Sequence, residues 1–235
     1  MRADIHSHLL WGIDDGSGSE AQTRALLTAV KAQGKRFLAL TPHCDPAHAP
    51  MEEFLEQRER AYRRFLALPE AEGLTLSLGA ELYLTDAIFN YDNARELCYT
   101  GTDLLLTELQ YTERFTGPAE KRLFRLVNEF GVRPVLAHVD RYRFFMKDPA
   151  LLEELAQAGF LLQWNISSAM GFFGRRLFRR FYEKGLVHFL GEDIHRSVQD
   201  AEKRGRELEK LSERLPELFT CADRLAEEEI FRPCK

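Results

Sequence analysis

Gly131-Val132-Arg133-Pro134-Val135-Leu136-Ala137-His138 holds the pattern that decides the fold. A glycine closes a helix-like stretch, a short apolar run follows, and a histidine ends it. Glycine suits the left-handed backbone position that terminates a helix, so the octet reads as helix, stop, strand. The same order recurs at Gly34, Gly73, Gly159 and Gly185, ahead of apolar runs at 37–40, 74–78, 160–164 and 186–190. Ile5 and the run 103–106 complete a set of seven strands. Near-continuous apolar runs of this length belong to parallel strands covered on both faces.

Helical spacing fills the intervals. Ser19-x-x-Gln22 has the form of a capping box ahead of Leu26, Leu27 and Val30. Pro118 suits the first turn of a helix carrying Leu123, Leu126, Val127 and Phe130. Residues 51–68 are charged on one side, with Phe54, Tyr62 and Phe65 on the other. Seven strands alternating with helices imply an α/β fold, either a parallel barrel or a doubly wound sheet. No linker, array repeat or low-complexity stretch interrupts the pattern, so residues 1–235 read as one domain.

Composition narrows the function. With 45% hydrophobic and 29% charged residues the chain can bury a core and stay in solution. A net charge of −5 gives no electrostatic reason for a nucleic-acid partner, while leaving room for local basic pockets that hold an anion. Cys44, Cys98, Cys221 and Cys234 form no C-x-x-C pair and no arginine follows any of them at C-x₅-R spacing. That excludes a zinc ribbon, a disulfide framework and a cysteine-nucleophile phosphatase signature, and it suits a reducing compartment. Met1-Arg2-Ala3-Asp4-Ile5-His6 lacks the apolar stretch of a signal peptide, and no apolar run reaches the roughly 20 residues of a membrane span. The expectation is a cytoplasmic protein without membrane insertion; its oligomeric state is open.

Histidines and acids fall at the strand ends, and their placement favours the barrel. Strand one closes on Asp4-Ile5-His6-Ser7-His8, with Asp14-Asp15-Gly16 in the following loop. His43 ends strand two, Glu81 strand three, Glu108 strand four, and His138 strand five with Asp140 and Arg141 beyond it. Strand seven runs into Glu192-Asp193-Ile194-His195. In a parallel barrel all carboxyl ends meet at one face, whereas a doubly wound sheet gathers only those near its switch point. Side chains two apart on a strand point the same way, so His6 and His8, or Asp193 and His195, grip one cation from one side. Imidazoles with carboxylates and no thiolate favour manganese, iron or zinc. Nine candidate ligands (His6, His8, Asp15, His43, Glu81, Glu108, His138, Asp193 and His195) exceed the needs of one ion and imply two or three. Such a cluster generates hydroxide at neutral pH for in-line attack on phosphorus.

Blander readings stand beside these. His188, inside Val187-His188-Phe189, reads as structural, and His48 as an exposed loop residue close in sequence to His43. Asp14 competes with Asp15 as a ligand; the other caps the turn at Gly16. Glu108 has a salt-bridged alternative, and Arg141 a surface ion pair. Arg175-Arg176 and Arg179-Arg180 read as a solvated helix face, with docking of an acidic or phosphorylated partner as the functional alternative.

Taken in order, Asp4-Ile5-His6-Ser7-His8, Gly12-Ile13-Asp14-Asp15-Gly16, Thr41-Pro42-His43, Gly79-Ala80-Glu81-Leu82-Tyr83, Ala137-His138-Val139-Asp140-Arg141-Tyr142 and Asp193-Ile194-His195 resemble the bacterial PHP-superfamily tyrosine phosphatases of the capsular and exopolysaccharide type. The resemblance spans about residues 1 to 200. It implies a distorted seven-stranded parallel β/α (TIM-like) barrel with a three-metal cluster, manganese first and iron or zinc as alternatives. It carries the ligand role onto the nine positions named, phosphate contact onto Arg141, and catalysis onto Arg141, Asp15 and His43. The implied substrate is phosphotyrosine on a protein, the C-terminal tail of a bacterial tyrosine kinase. Three departures fall outside the ligand set: Val139-Asp140 replaces a usual Pro-Glu, Glu192 replaces a serine, and Arg196 and Arg204 are displaced from the usual downstream arginine. Arg196 is retained as a second substrate contact.

Three functions compete. The first is phosphotyrosine hydrolysis by a metal-bridging hydroxide. The second is a small-molecule phosphatase of histidinol-phosphate type, for which Glu192 offers a carboxylate to a substrate amine. The third is a weakly catalytic, metal-bound protein that docks a kinase. Nine ligands argue against the third, because gathered buried charges are costly without metal.

Overall fold

Parallel pairing organises the chain. The computed structural model describes residues 1–111, 114–115, 117–169 and 171–232, so Cys234 lies outside the described residues. One ladder joins β1 (Ala3–Asp4), β2 (Phe37–Leu40) and β4 (Thr75–Leu78). The other runs β3 (His43–Cys44), β5 (Glu81–Tyr83), β6 (Leu104–Glu108), β7 (Arg133–Leu136), β8 (Leu161–Asn165) and β9 (Phe189–Gly191). Every pair is parallel.

The second and third expected strands each break in two, which turns seven expected strands into nine segments among the described residues. β3 resumes β2 after Thr41-Pro42, where proline has no N–H to give the ladder. β5 resumes β4 after Gly79-Ala80, where a Cβ on Gly79 would lie 3.2 Å from the Tyr99 ring. The sheet curls as a half-barrel. Its first and last strands approach through a parallel Ser7–Ile194 bridge, with His8 N–H donating to Ile194 O at 2.8 Å and Asp193 N–H to His6 O at 3.0 Å.

Helices α1 (Glu20–Ala32), α2 (Met51–Leu66), α3 (Gly117–Phe130), α4 (Arg143–Lys147), α5 (Pro149–Gln157), α6 (Gly171–Glu183), α7 (Val198–Arg214) and α8 (Pro216–Ala226) accompany the strands. Ser19 Oγ caps α1 by accepting from Gln22 N–H at 3.2 Å; Gln22 Oε1 accepts from Gly18 N–H at 2.8 Å, so the reciprocal half of the box shifts by one residue. All five helix-ending glycines adopt positive φ, between 62° and 93°. Alternate strand residues divide the core. Ile5, Phe37, Ala39, Leu106, Val135 and Phe189 pack together with Ala226 of α8 and Ile230 beyond it, while Leu38 and Leu40 pack on Leu26, Leu27 and Phe65 of α1 and α2. Each such buried leucine, isoleucine, valine or phenylalanine contributes about 1.5–3 kcal/mol. No helix among the described residues is long and apolar enough to cross a membrane.

Candidate metal centre

The strand ends bring all nine expected ligands together. His6 Nε2 lies 3.1 Å from His8 Nε2, 3.0 Å from Glu81 Oε2 and 3.6 Å from Asp193 Oδ1. His8 Nε2 lies 3.3 Å from Glu81 Oε2 and 3.4 Å from Asp193 Oδ1. His43 reaches Glu81 Oε2 through Nδ1 at 3.1 Å and Asp15 Oδ1 through Nε2 at 3.4 Å. His195 Nε2 is 3.6 Å from Asp15 Oδ1. On the other side of Glu81, His138 Nε2 lies 2.9 Å from Oε1 and 3.5 Å from Glu108 Oε1. Glu81 thus stands at the centre, with imidazoles on both of its oxygens.

The spacing has a chemical meaning. Ligands bound about 2.0–2.2 Å from one ion sit roughly 3.0–3.6 Å from each other along a tetrahedral or octahedral edge. Among the described residues three sets have ligand atoms mutually within 4.8 Å: His6, His8 and Asp193; His8, His43 and His195; and His43, Glu81 and Glu108. Several of the separations exceed ordinary hydrogen-bond length. The donor set therefore fits divalent cations. Charge points the same way. Burial would lower the pKa of His6 and His8, yet the Glu81 and Asp193 carboxylates, joined at His8 by Asp14, outweigh it and raise both. Burial would raise Asp193, but His6, His8 and Arg141 hold it well below the carboxylate range. Glu108 is pushed up, by burial first and then by Glu81. The site favours added positive charge.

Neighbours fix which imidazole nitrogen faces the cluster. Asp14 Oδ2 lies 2.8 Å from His8 Nδ1 and accepts from His43 N–H at 3.0 Å, while its Oδ1 caps Gly16 N–H at 2.9 Å. Asp14 is the turn-capping partner and Asp15 the one at the cluster. Gln163 Oε1 lies 3.2 Å from His6 Nδ1 and accepts from His138 N–H at 2.7 Å. Its Nε2 donates to Asn165 Oδ1 at 2.9 Å, and Asn165 Nδ2 donates to Asp193 Oδ2 at 3.2 Å. Such outer partners set tautomer and ring orientation. Two glycines leave the necessary room: a Cβ on Gly16 would lie 2.2 Å from His8 O, and one on Gly191 2.9 Å from His6 Cβ. Among the described residues only His138 (φ 32°) and Asp193 (φ 53°) take positive φ without being glycine. Strained backbone at two expected ligands, worth about 1–3 kcal/mol each, is characteristic of functional sites.

Sequence reading missed Gln163, Asn165 and Tyr111. The first two repeat the i, i+2 polar pattern of His6-x-His8 at the end of β8, the one strand assigned no chemistry. Tyr111 sits three residues past Glu108 as Arg141 sits three past His138; it is 54% exposed, and its hydroxyl lies 3.3 Å from His138 Nδ1.

The arginines divide. Arg141 is half exposed and pairs with Asp193 Oδ2. Arg196 donates Nε to Asp15 O at 2.6 Å and Gly16 O at 2.9 Å, clamping the Asp15 loop; its terminal nitrogens make no further bond among the described residues. Arg204 donates to the Glu192 and Asp193 carbonyls. Glu192 corrects an expectation. It is fully buried, paired with buried Lys35 and close to Asp4, so it offers nothing to a substrate. His48 is exposed and pairs with Asp45 at 2.6 Å, away from the cluster. His188 is structural: Leu162 N–H donates to its Nδ1 at 3.1 Å, and burial lowers its pKa.

Fold and site together define an α/β protein with a candidate metal centre at the carboxyl ends of curled parallel strands. The chain belongs to the capsular polysaccharide synthesis CpsB/CapC family, whose model matches residues 2–227. It is 29% identical over 211 residues to the tyrosine-protein phosphatase CpsB of Streptococcus pneumoniae, covering 82% of each chain. It is 27% identical over 201 residues to the tyrosine-protein phosphatase YwqE of Bacillus subtilis, covering 82% of this chain and 76% of YwqE. Among solved structures it is similar to one from work on YwqE and CpsB, described as unique metal-dependent tyrosine phosphatases. That match has a TM-score of 0.73 at 25% identity, over 98% of this chain and 94% of the other.

Proposed function

We propose that this chain is a metal-dependent phosphatase that hydrolyses phosphotyrosine on proteins. The observation that carries this reading is the Glu81-centred cluster, in which four imidazoles stand 2.9–3.3 Å from its two carboxylate oxygens. The similarity to CpsB and YwqE, both named tyrosine-protein phosphatases, supports it. The nine residues would hold two or three ions, manganese first, with iron or zinc as alternatives. Divalent ions there supply an activated water and neutralise charge on a phosphoryl group.

The chain's own residues do the rest. Asp14 and Gln163 hold the Nδ1 protons of His8 and His6, so each ring presents its Nε2 lone pair to the cluster. His43 and Asp15 form the outer edge of the site. Arg141, now on Asp193, is placed to exchange that carboxylate for a phosphoryl oxygen, where a planar guanidinium matches the geometry. The terminal nitrogens of Arg196 give a second contact. Tyr111, stacked on Tyr142 with ring centroids 5.2 Å apart, offers an exposed face to the substrate's phenyl ring.

We read residues 1–235 as one cytoplasmic domain, its curled sheet as a seven-stranded barrel, and its substrate as the tail of a bacterial tyrosine kinase. The histidinol-phosphate reading loses its main support with the Lys35–Glu192 pair. A panel of phosphotyrosine peptide, histidinol phosphate and p-nitrophenyl phosphate, with and without Mn²⁺, tests the proposal. Mn²⁺-dependent turnover favouring the phosphopeptide is expected; preference for histidinol phosphate, or no turnover of any, overturns it.

A further inference from the structure

The chain carries a net charge of −5, yet one surface groove reverses the sign. Arg175, Arg176 and Arg179 of α6 line one wall, and Arg214 with Leu211 and Leu215 lines the other, around a volume of about 450 Å³. A smaller hollow of about 220 Å³ continues it, sharing Arg175, Leu211 and Arg214 and adding Lys210, Glu207, Ile166 and Ala169. Ile166 is the residue after Asn165, whose amide holds Asp193, and Ser168 on the same turn donates to Asp140. The hollow is thus lined by the turn that follows β8, the strand whose Gln163 and Asn165 hold His6 and Asp193.

Arg176, Arg179, Lys210 and Arg214 carry the docking charge, with Glu207 as the one acid in the lining among the described residues. Arg179 has a loose, exposed contact with Glu183 at 3.8 Å; no carboxylate pairs with Arg176, Lys210 or Arg214 among the described residues. Both Arg176 and Lys210 are exposed. Arginines held on two helices over an apolar floor suit carboxylate forks and the aliphatic stems that carry them. A local basic patch attracts acidic chains.

We propose that this groove docks an acidic peptide segment flanking the phosphotyrosine of the protein substrate. The proposal rests on the phosphotyrosine reading for its kinetic consequence but not for binding itself. An extended segment covers about 3.3–3.6 Å per residue, so a flank of several residues carries its acidic side chains well away from the phosphotyrosine, toward the turn that follows β8. Acidic flanks would raise the local concentration of phosphotyrosine at the ions without touching the chemistry. Free small phosphate esters would gain nothing.

The test uses the intact protein and the double variant Arg176→Glu/Lys210→Glu, which alters no residue of the metal centre. Fluorescence anisotropy follows an unphosphorylated Asp/Glu-rich peptide, so it reads docking even if no phosphatase activity exists. Binding to the unaltered protein, weakened about tenfold in the variant and by added salt, is expected. In turnover, the variant should raise KM for an acidic-flanked phosphopeptide about tenfold while kcat, and both constants for p-nitrophenyl phosphate, stay unchanged. Equal KM for acidic and neutral flanks in the unaltered protein, no peptide binding, or an oligonucleotide binding better than the acidic peptide would each overturn the proposal.

Discussion

Strands β1 and β9 carry two buried clusters of charge, and the contrast between them explains the site. On one, Asp4 and Glu192 gather around Lys35, a cation supplied by the chain itself. On the other, His6, His8 and Asp193 gather with Glu81, and the chain supplies only imidazoles and the half-exposed Arg141. In the first cluster Lys35 neutralises Glu192 directly, while Asp4 Oδ2 and Glu192 Oε2 make no hydrogen bond among the described residues. Asp4 Oδ1 accepts from the backbone N–H of His6 at 3.3 Å and of Glu192 at 3.0 Å, tying the two ligand-bearing strands together. The second has donor atoms turned to a common centre. Buried acids with an internal cation serve structure; buried acids without one call for an imported cation.

Breaking the contrast from each side gives unlike results. His138→Ala should cut phosphatase turnover by about 10³-fold or more while the melting transition of the metal-free protein barely moves. A folded variant with full activity would remove His138 from the site. Lys35→Met should act in the opposite sense, lowering unfolding free energy by about 3–5 kcal/mol because Glu192 loses its buried ion-pair partner. Denaturant titration checks this, and an unchanged midpoint would contradict it. Arg141→Ala should lower kcat/KM by about 10²-fold if its guanidinium meets the phosphoryl group in the transition state. An unchanged rate would leave Arg141 as a partner of Asp193 alone.

The smallest effect concerns pH. Burial, then the Glu192 charge, pushes the Asp4 carboxyl up to about 7, against the opposing pull of Lys35. A raised carboxyl contributes stability that is complete below its unfolded value near 4 and is lost as pH rises through about 7. Asp4→Asn keeps an oxygen for the two backbone donors and cannot titrate. Metal-free protein should therefore lose stability between pH 4 and 7 more steeply than the Asn variant; parallel curves would contradict the assignment.

The sequence exposed the ligands better than their supports. Repeated glycine, apolar run and polar end showed where strands finish, and parallel strands deliver their ends to one face, so residues from His6 to His195 converged as expected. Parity was harder to follow. Asp193 sits in left-handed backbone, which breaks the alternation that would place Glu192 and Asp193 by counting, and the partner of Glu192 lies 157 positions away at Lys35. Gln163 and Asn165 were hidden for another reason. Their amides look like ordinary strand polar groups until folding sets them against His6, His138 and Asp193. The strand breaks at Thr41-Pro42 and Gly79-Ala80 carry proline and glycine but fall just past the apolar runs, where the sequence reads as the end of a strand and pairing in fact resumes.

Elemental analysis of Mn²⁺-loaded protein after exhaustive dialysis, beside a His6→Ala/Glu81→Gln variant, bears most directly on the imported-cation account. Two or three ions retained per chain, and their loss in a variant that still folds around the Lys35 pair, is the result expected. Unaltered protein that keeps no divalent ion would contradict it.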